Sequence, residues 1–123
     1  MRWLLRLGTS AVALSLTLGC SSPNEGKAKV VCTVTAPTMC PEPAPVYADV
    51  APIFEQRCAT ASCHSGFVGG PWPLRDYEHI ADWQDVVRAE VVSCLMPPAD
   101  ADVALSDEER LQILNWIRCG LPK

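Results

Sequence analysis

The chain has 123 residues, 49% hydrophobic and 20% charged, with a formal net charge of −4 at pH 7. That length allows one domain at most. An acidic balance argues against nucleic acid, which is held by clustered Lys and Arg, and suits a basic partner instead.

Residues 1–19 read as a secretory signal. Arg2 and Arg6 supply the positive start, and LGTSAVALSLTL is an apolar run. A run of about a dozen residues fits a signal core and is too short to span a bilayer. Cys20 follows TLG and precedes the polar stretch SSPNEGK. This junction resembles the lipobox of bacterial lipoproteins, although Thr17 stands where that family usually carries Leu. The resemblance implies lipidation of Cys20 and anchoring by acyl chains. The protein would then face the periplasm or the cell surface. Ser21 is compatible with the outer membrane of a Gram-negative bacterium. Loss of residues 1–19 leaves 8 Lys and Arg against 14 Asp and Glu, a net charge of −6.

Residues 20–45 read as an extended tether, because Pro23, Pro37, Pro41, Pro43 and Pro45 disfavour helix. VVCTV within it has the composition of a short strand. Residues 46–123 form the folded domain, all-α, with three to four helices. Asp49 is placed to cap the first, with Pro52 in its first turn and Val50, Ile53 and Phe54 on one face. The Gly/Pro loop SGFVGGPWP separates it from LRDYEHI. DWQDVVRAEVV follows, with Asp82 in a capping position and Trp83, Val86, Val87 and Val91 on one stripe. Glu90 falls on the same stripe without explanation. SDEERLQILNWIRCG is the clearest helix. Ser106 and Glu109 form a capping box, and Gly120 and Pro122 end it. Its apolar arc, Leu111, Ile113, Leu114, Trp116 and Ile117, is wide enough to require more than one neighbour.

Seven cysteines stand at 20, 32, 40, 58, 63, 94 and 119. In an exported protein most are committed covalently. One partition uses all of them: lipid on Cys20, a shared role for Cys58 and Cys63, and disulfides Cys32–Cys40 and Cys94–Cys119. Sequence alone does not fix connectivity, so other pairings stay open.

The stretch CATASCH, residues 58–64, carries the most chemistry. Haem-attachment motifs place two cysteines before a histidine, with two residues between the cysteines. Here there are four, all small. The competing readings are a structural disulfide between Cys58 and Cys63, and a zinc site from Cys58, Cys63, His64 and His79. The latter lacks the paired spacing of structural zinc sites.

Taken with "MPP" at residues 96–98 and the capped last helix, residues 46–123 resemble a class I-type cytochrome c domain. The resemblance implies one covalent haem c, with thioethers to Cys58 and Cys63. His64 would be the proximal iron ligand and Met96 the distal one. Trp72, Leu74 and Trp116 would pack on the haem, and Phe54 would cross against Trp116 or Ile117. A six-coordinate iron implies an electron carrier rather than an enzyme, serving a redox partner protein that the sequence does not name. The alternative function is a cofactor-free, disulfide-stabilised exported lipoprotein acting as an interaction module.

Overall fold

The computed structural model describes residues 32–123. The expected signal peptide and the expected lipid site at Cys20 lie outside the described residues. Those residues form a small all-helical domain of four α-helices: α1 (Tyr47–Ile53), α2 (Tyr77–Asp82), α3 (Gln84–Val92) and α4 (Asp107–Arg118). Between α1 and the Cys58–His64 loop lies one π-helical turn, Phe54–Cys58. Cys32–Val34, the described part of VVCTV, is not a strand.

Three of the four helix starts are held by a side chain. At α1 the Asp49 carboxylate accepts the Val46 N–H at 2.8 Å. Pro52 lies inside this helix, with no N–H to return to the preceding turn. The wider turn that follows buries Phe54 and carries Cys58 to the edge of the core. At α2 the Asp76 side chain accepts the His79 N–H at 3.0 Å. At α4 the expected capping box is present: Glu109 N–H donates to Ser106 Oγ at 3.1 Å, and Ser106 N–H to Glu109 Oε2 at 2.8 Å. Burial pushes the Glu109 carboxyl up. The Ser106 N–H and the Arg57 guanidinium at 3.0 Å outweigh burial and hold it below the usual carboxylate range.

The core is Val50, Ile53 and Phe54 from the first helical segment, Ile80 from α2, Val87 and Val91 from α3, and Ile113, Leu114, Trp116 and Ile117 from α4. The expected α3 stripe is only half right. Val87 and Val91 are buried, but Trp83 and Val86 face solvent. Trp83, not Asp82, occupies the N-cap position. Glu90 lies half-buried, and its carbonyl accepts the Leu95 N–H at 3.1 Å. On α4, Leu111 is exposed while Arg110 takes a buried place.

The proline-rich segment is strapped across the helices. Cys32 bonds to Cys94 and Cys40 to Cys119, with Cα separations of 5.6 and 4.9 Å, within the span disulfides bridge. This corrects the expected pairings Cys32–Cys40 and Cys94–Cys119. Short-loop closure favours the local pairing entropically, but the fold sets the ends of two helices opposite the strap. Cys94 follows α3 with φ +57°, a left-handed position where helices usually place glycine. Cys119 is the C-cap of α4. Further along, Arg118 Nε donates to the Thr38 carbonyl at 3.0 Å, and Thr33 Oγ1 bonds to Asp107.

Arg110 ties the end of α3 to the loop after it. Its buried Nη1 donates to the Val91 and Met96 carbonyls, both at 3.0 Å. Burial lowers its pKa from the usual arginine value, yet the guanidinium remains charged. Arg110→Met keeps most of the length and removes the donors. Leaving two carbonyls without this partner costs about 2–4 kcal/mol, read as a shift in urea midpoint at constant m. A midpoint within experimental error of the parent would mean the contacts contribute nothing.

Candidate functional site

The loop carrying Cys58, Cys63 and His64 is closed by its own backbone. Ala59 N–H donates to the Phe54 carbonyl at 2.8 Å, Cys63 N–H to Thr60 at 3.0 Å and His64 N–H to Cys58 at 3.0 Å. Alanine, threonine and serine fit this tight path because none brings bulk into it. Both cysteines are free thiols and both are half-buried. Cys58 packs against the core. Burial, with Cys63 close by, pushes its thiol up to about 12, so it stays protonated at neutral pH.

His64 is held by the next segment. Its Nδ1 lies 2.6 Å from the Trp72 carbonyl, and its own carbonyl accepts the Leu74 N–H at 3.0 Å. Trp72 in turn donates Nε1–H to the His79 carbonyl at 3.0 Å and stacks on Trp83, with centroids 5.2 Å apart and planes 20° from parallel. Leu74 and Trp116 are buried in the core. Met96 sits beyond α3, about two-fifths exposed, its carbonyl bound by Arg110. His79 Nδ1 lies 2.8 Å from Asp76 Oδ2. The His79 backbone N–H, helped by that ring, holds the Asp76 carboxyl below its usual range.

An open hollow of about 770 Å3 lies beside the loop, lined by residues including Ala51, Glu55, Ala59, Ser65, Phe67 and Arg75. Neither thiol, nor His64, nor Met96 lines it.

These findings overturn the reading of CATASCH as a haem-attachment motif. Among the described residues no group of three or more His, Cys, Asp and Glu is placed to hold a metal ion. The cysteine chemistry on display is a pair of disulfides between segments far apart in sequence. The covalent haem c, its iron, the His64 and Met96 ligand pair, the electron-carrier function and the kinship with class I cytochromes fall together. The same finding removes the zinc set Cys58, Cys63, His64 and His79. A structural Cys58–Cys63 disulfide is not formed either.

Sequence reasoning missed two features. One is the Trp72–Trp83 stack, whose partners stand 11 positions apart on a loop and a helix start. Nothing in the periodicity joins them. The other is Arg110, whose place on the apolar face of α4 was readable from its spacing of three and four residues to Ile113 and Leu114.

Among the described residues, no helix is long and apolar enough to cross a membrane. No family model matches the chain, and no curated protein or solved structure matches it.

Proposed function

We propose that the chain is a cofactor-free, disulfide-stapled interaction module, exported and held at a membrane surface by lipid on Cys20. Residues 1–19 direct export, and residues 20–31 link the anchor to the stapled body. The proposed role of the stapled body is to bind a partner. The observation that carries the reading is the Trp72–Trp83 stack. Both rings are about two-fifths exposed, and the pair is held rigid by stacking and by the bond from Trp72 to His79. Phe67 and Val68 on the same loop and Val86 one turn beyond Trp83 are also exposed. Rigid tryptophans lose little conformational entropy on binding and are enriched at the energetic centres of interfaces.

Charge narrows the partner. Asp82 and Asp85 flank Trp83 and are exposed, and the chain after residue 19 carries −6. The complementary surface is a protein with an apolar centre rimmed by Lys and Arg. Residual Cys20 lipid would confine the encounter to the membrane surface.

The test places a photo-crosslinking residue at 83 or 86 in producing cells, with 111 on the exposed side of α4 as control. One discrete adduct from 83 and 86, absent from 111 and reduced about tenfold by Asp82→Lys/Asp85→Lys, is the expected result. Equal adducts at all three positions, or none, would refute the reading. Intact mass of the exported protein checks the cofactor-free part. Tryptic peptide 58–75, which holds Cys58, Cys63 and His64, should carry no added group. An adduct on that peptide that survives disulfide reduction would overturn it.

A further inference from the structure

Four of the six cysteines in the described residues are paired, and the two that remain are neighbours. The His64 N–H to Cys58 carbonyl bond, at 3.0 Å, closes the loop between them. Standard backbone dimensions then hold their Cα atoms within about 8 Å. Disulfides span about 4.4–6.8 Å. The Cα bound overlaps that range, and the four residues between the two cysteines are all small. The two thiols are also unequal. Cys58 lies against the core at the end of the π-helical turn, whereas Cys63 lies in the turn, with Ser62 Oγ 3.8 Å from its sulfur.

We propose that Cys58 and Cys63 form a thiol–disulfide exchange site whose substrate is an accessible disulfide of another molecule, either a low-mass disulfide or one in a protein. Cys63 loses its proton and attacks one sulfur of the substrate disulfide. A Cys63–S–S–R bond forms, and the first RS− leaves. Cys58 then gives up its proton and attacks the Cys63 sulfur. The Cys58–Cys63 bond forms and the second RS− leaves. The two released protons neutralise the two RS− groups at equilibrium. The pair is oxidised by two electrons and the substrate disulfide is reduced to two thiols.

The order of attack follows from burial. A thiol pushed up to about 12 is almost never thiolate at neutral pH, so Cys58 is a poor first nucleophile. It acts once Cys63 is held as a mixed disulfide beside it, where proximity replaces acidity. A high-pKa thiol is also a slow leaving group, so the closed bond persists against weak reductants. The proposal does not rest on the tryptophan platform, and its readout is mass rather than binding.

The experiment uses the purified reduced-loop protein with both stapling disulfides intact. One arm receives glutathione disulfide, the other oxidised thioredoxin. Each is quenched with acid, unfolded and alkylated, and peptide 58–75 is weighed. Closure in both arms shows a general exchange site. Closure in one arm alone assigns the substrate to that source. In each of these cases the peptide loses two hydrogens and takes up no alkyl group. The Cys58→Ser protein should accumulate a glutathione adduct on Cys63. The Cys63→Ser protein should form its adduct on Cys58 at least about tenfold more slowly. Two alkylated thiols in both arms would overturn the proposal. So would a wild-type protein that stops at a Cys63 adduct, or equal rates in the two single variants. Closure that reverses only when the stapling bonds also break would make the bond structural and overturn it too.

Discussion

Removing both stapling disulfides, by Cys32→Ala/Cys94→Ala with Cys40→Ala/Cys119→Ala, is expected to unfold the domain at 25 °C. Cys40–Cys119 spans a sequence separation of 79 and Cys32–Cys94 one of 62. On the chain-entropy relation each bond alone stabilises by about 4 kcal/mol. The two loops overlap, so with Cys40–Cys119 closed, Cys32–Cys94 closes a shorter effective path. Together they are worth somewhat less than two full increments, about 7 kcal/mol. Domains of this size are stable by about 5–15 kcal/mol, so the loss removes most of the margin. Far-UV circular dichroism of the quadruple variant should show a largely unfolded chain. Retention of the parent spectrum with a midpoint shift of only a few degrees would show that the helices hold without staples. Pairing is checked separately. Trypsin leaves Cys32 and Cys40 together in peptide 30–57, Cys94 in 89–110 and Cys119 in 119–123. The observed connectivity predicts one three-peptide species. The local pairings would give peptide 30–57 by itself and a two-peptide species.

Local chemistry was legible in the sequence, and long-range geometry was not. The Ser106–Glu109 capping box is a four-residue pattern, and it appears as read. The wide apolar arc of α4 demanded several neighbours, and the helix packs against both α1 and α3. Phe54 does meet Trp116, at 6.2 Å between ring centroids. That contact follows from two amphipathic faces needing burial, and it survives the loss of the resemblance from which it was first expected. The α3 stripe went half wrong because Trp83 found a partner in Trp72, outside its own helix. The pairing of Cys32 and Cys40 went wrong because spacing reports loop entropy and nothing about which helix ends lie opposite. CATASCH misled for a related reason. A cysteine pair before a histidine is a local pattern, while a cofactor site also needs convergence of distant groups, and the distant groups here go elsewhere. Met96 is engaged by Arg110 through its carbonyl, and His64 by Trp72.

Trp116→Ala is expected to cost about 3–5 kcal/mol, the range for deleting a buried large aromatic. The residue is fully buried, with Tyr47, Phe54 and Tyr77 rings all about it at 5.9, 6.2 and 6.0 Å. It also fixes the chain end. Its Nε1–H donates to the Pro122 carbonyl at 2.9 Å, and the same carbonyl accepts the Tyr47 N–H at 2.8 Å. Tyr77 Oη donates to the Leu121 carbonyl at 2.9 Å. Gly120, at φ +83°, makes the reversal that lets the last residues fold back over the ring, a conformation a side chain rarely adopts. One indole therefore joins α4, α1, α2 and the C-terminal residues. Trp116→Phe separates the two contributions. It keeps an aromatic body and loses the indole donor and part of the volume, at about 1–2.5 kcal/mol. The Pro122 carbonyl keeps its second donor, Tyr47, so the tail should stay in place in the phenylalanine variant. In the alanine variant the ring cluster loses its centre, and near-UV ellipticity should collapse before far-UV signal does. Urea titration with both disulfides intact measures both variants. Equal losses would assign the effect to the hydrogen bond. A loss below about 1 kcal/mol for alanine would mean that the surrounding rings close the cavity, and that the aromatic cluster is not the centre of this fold.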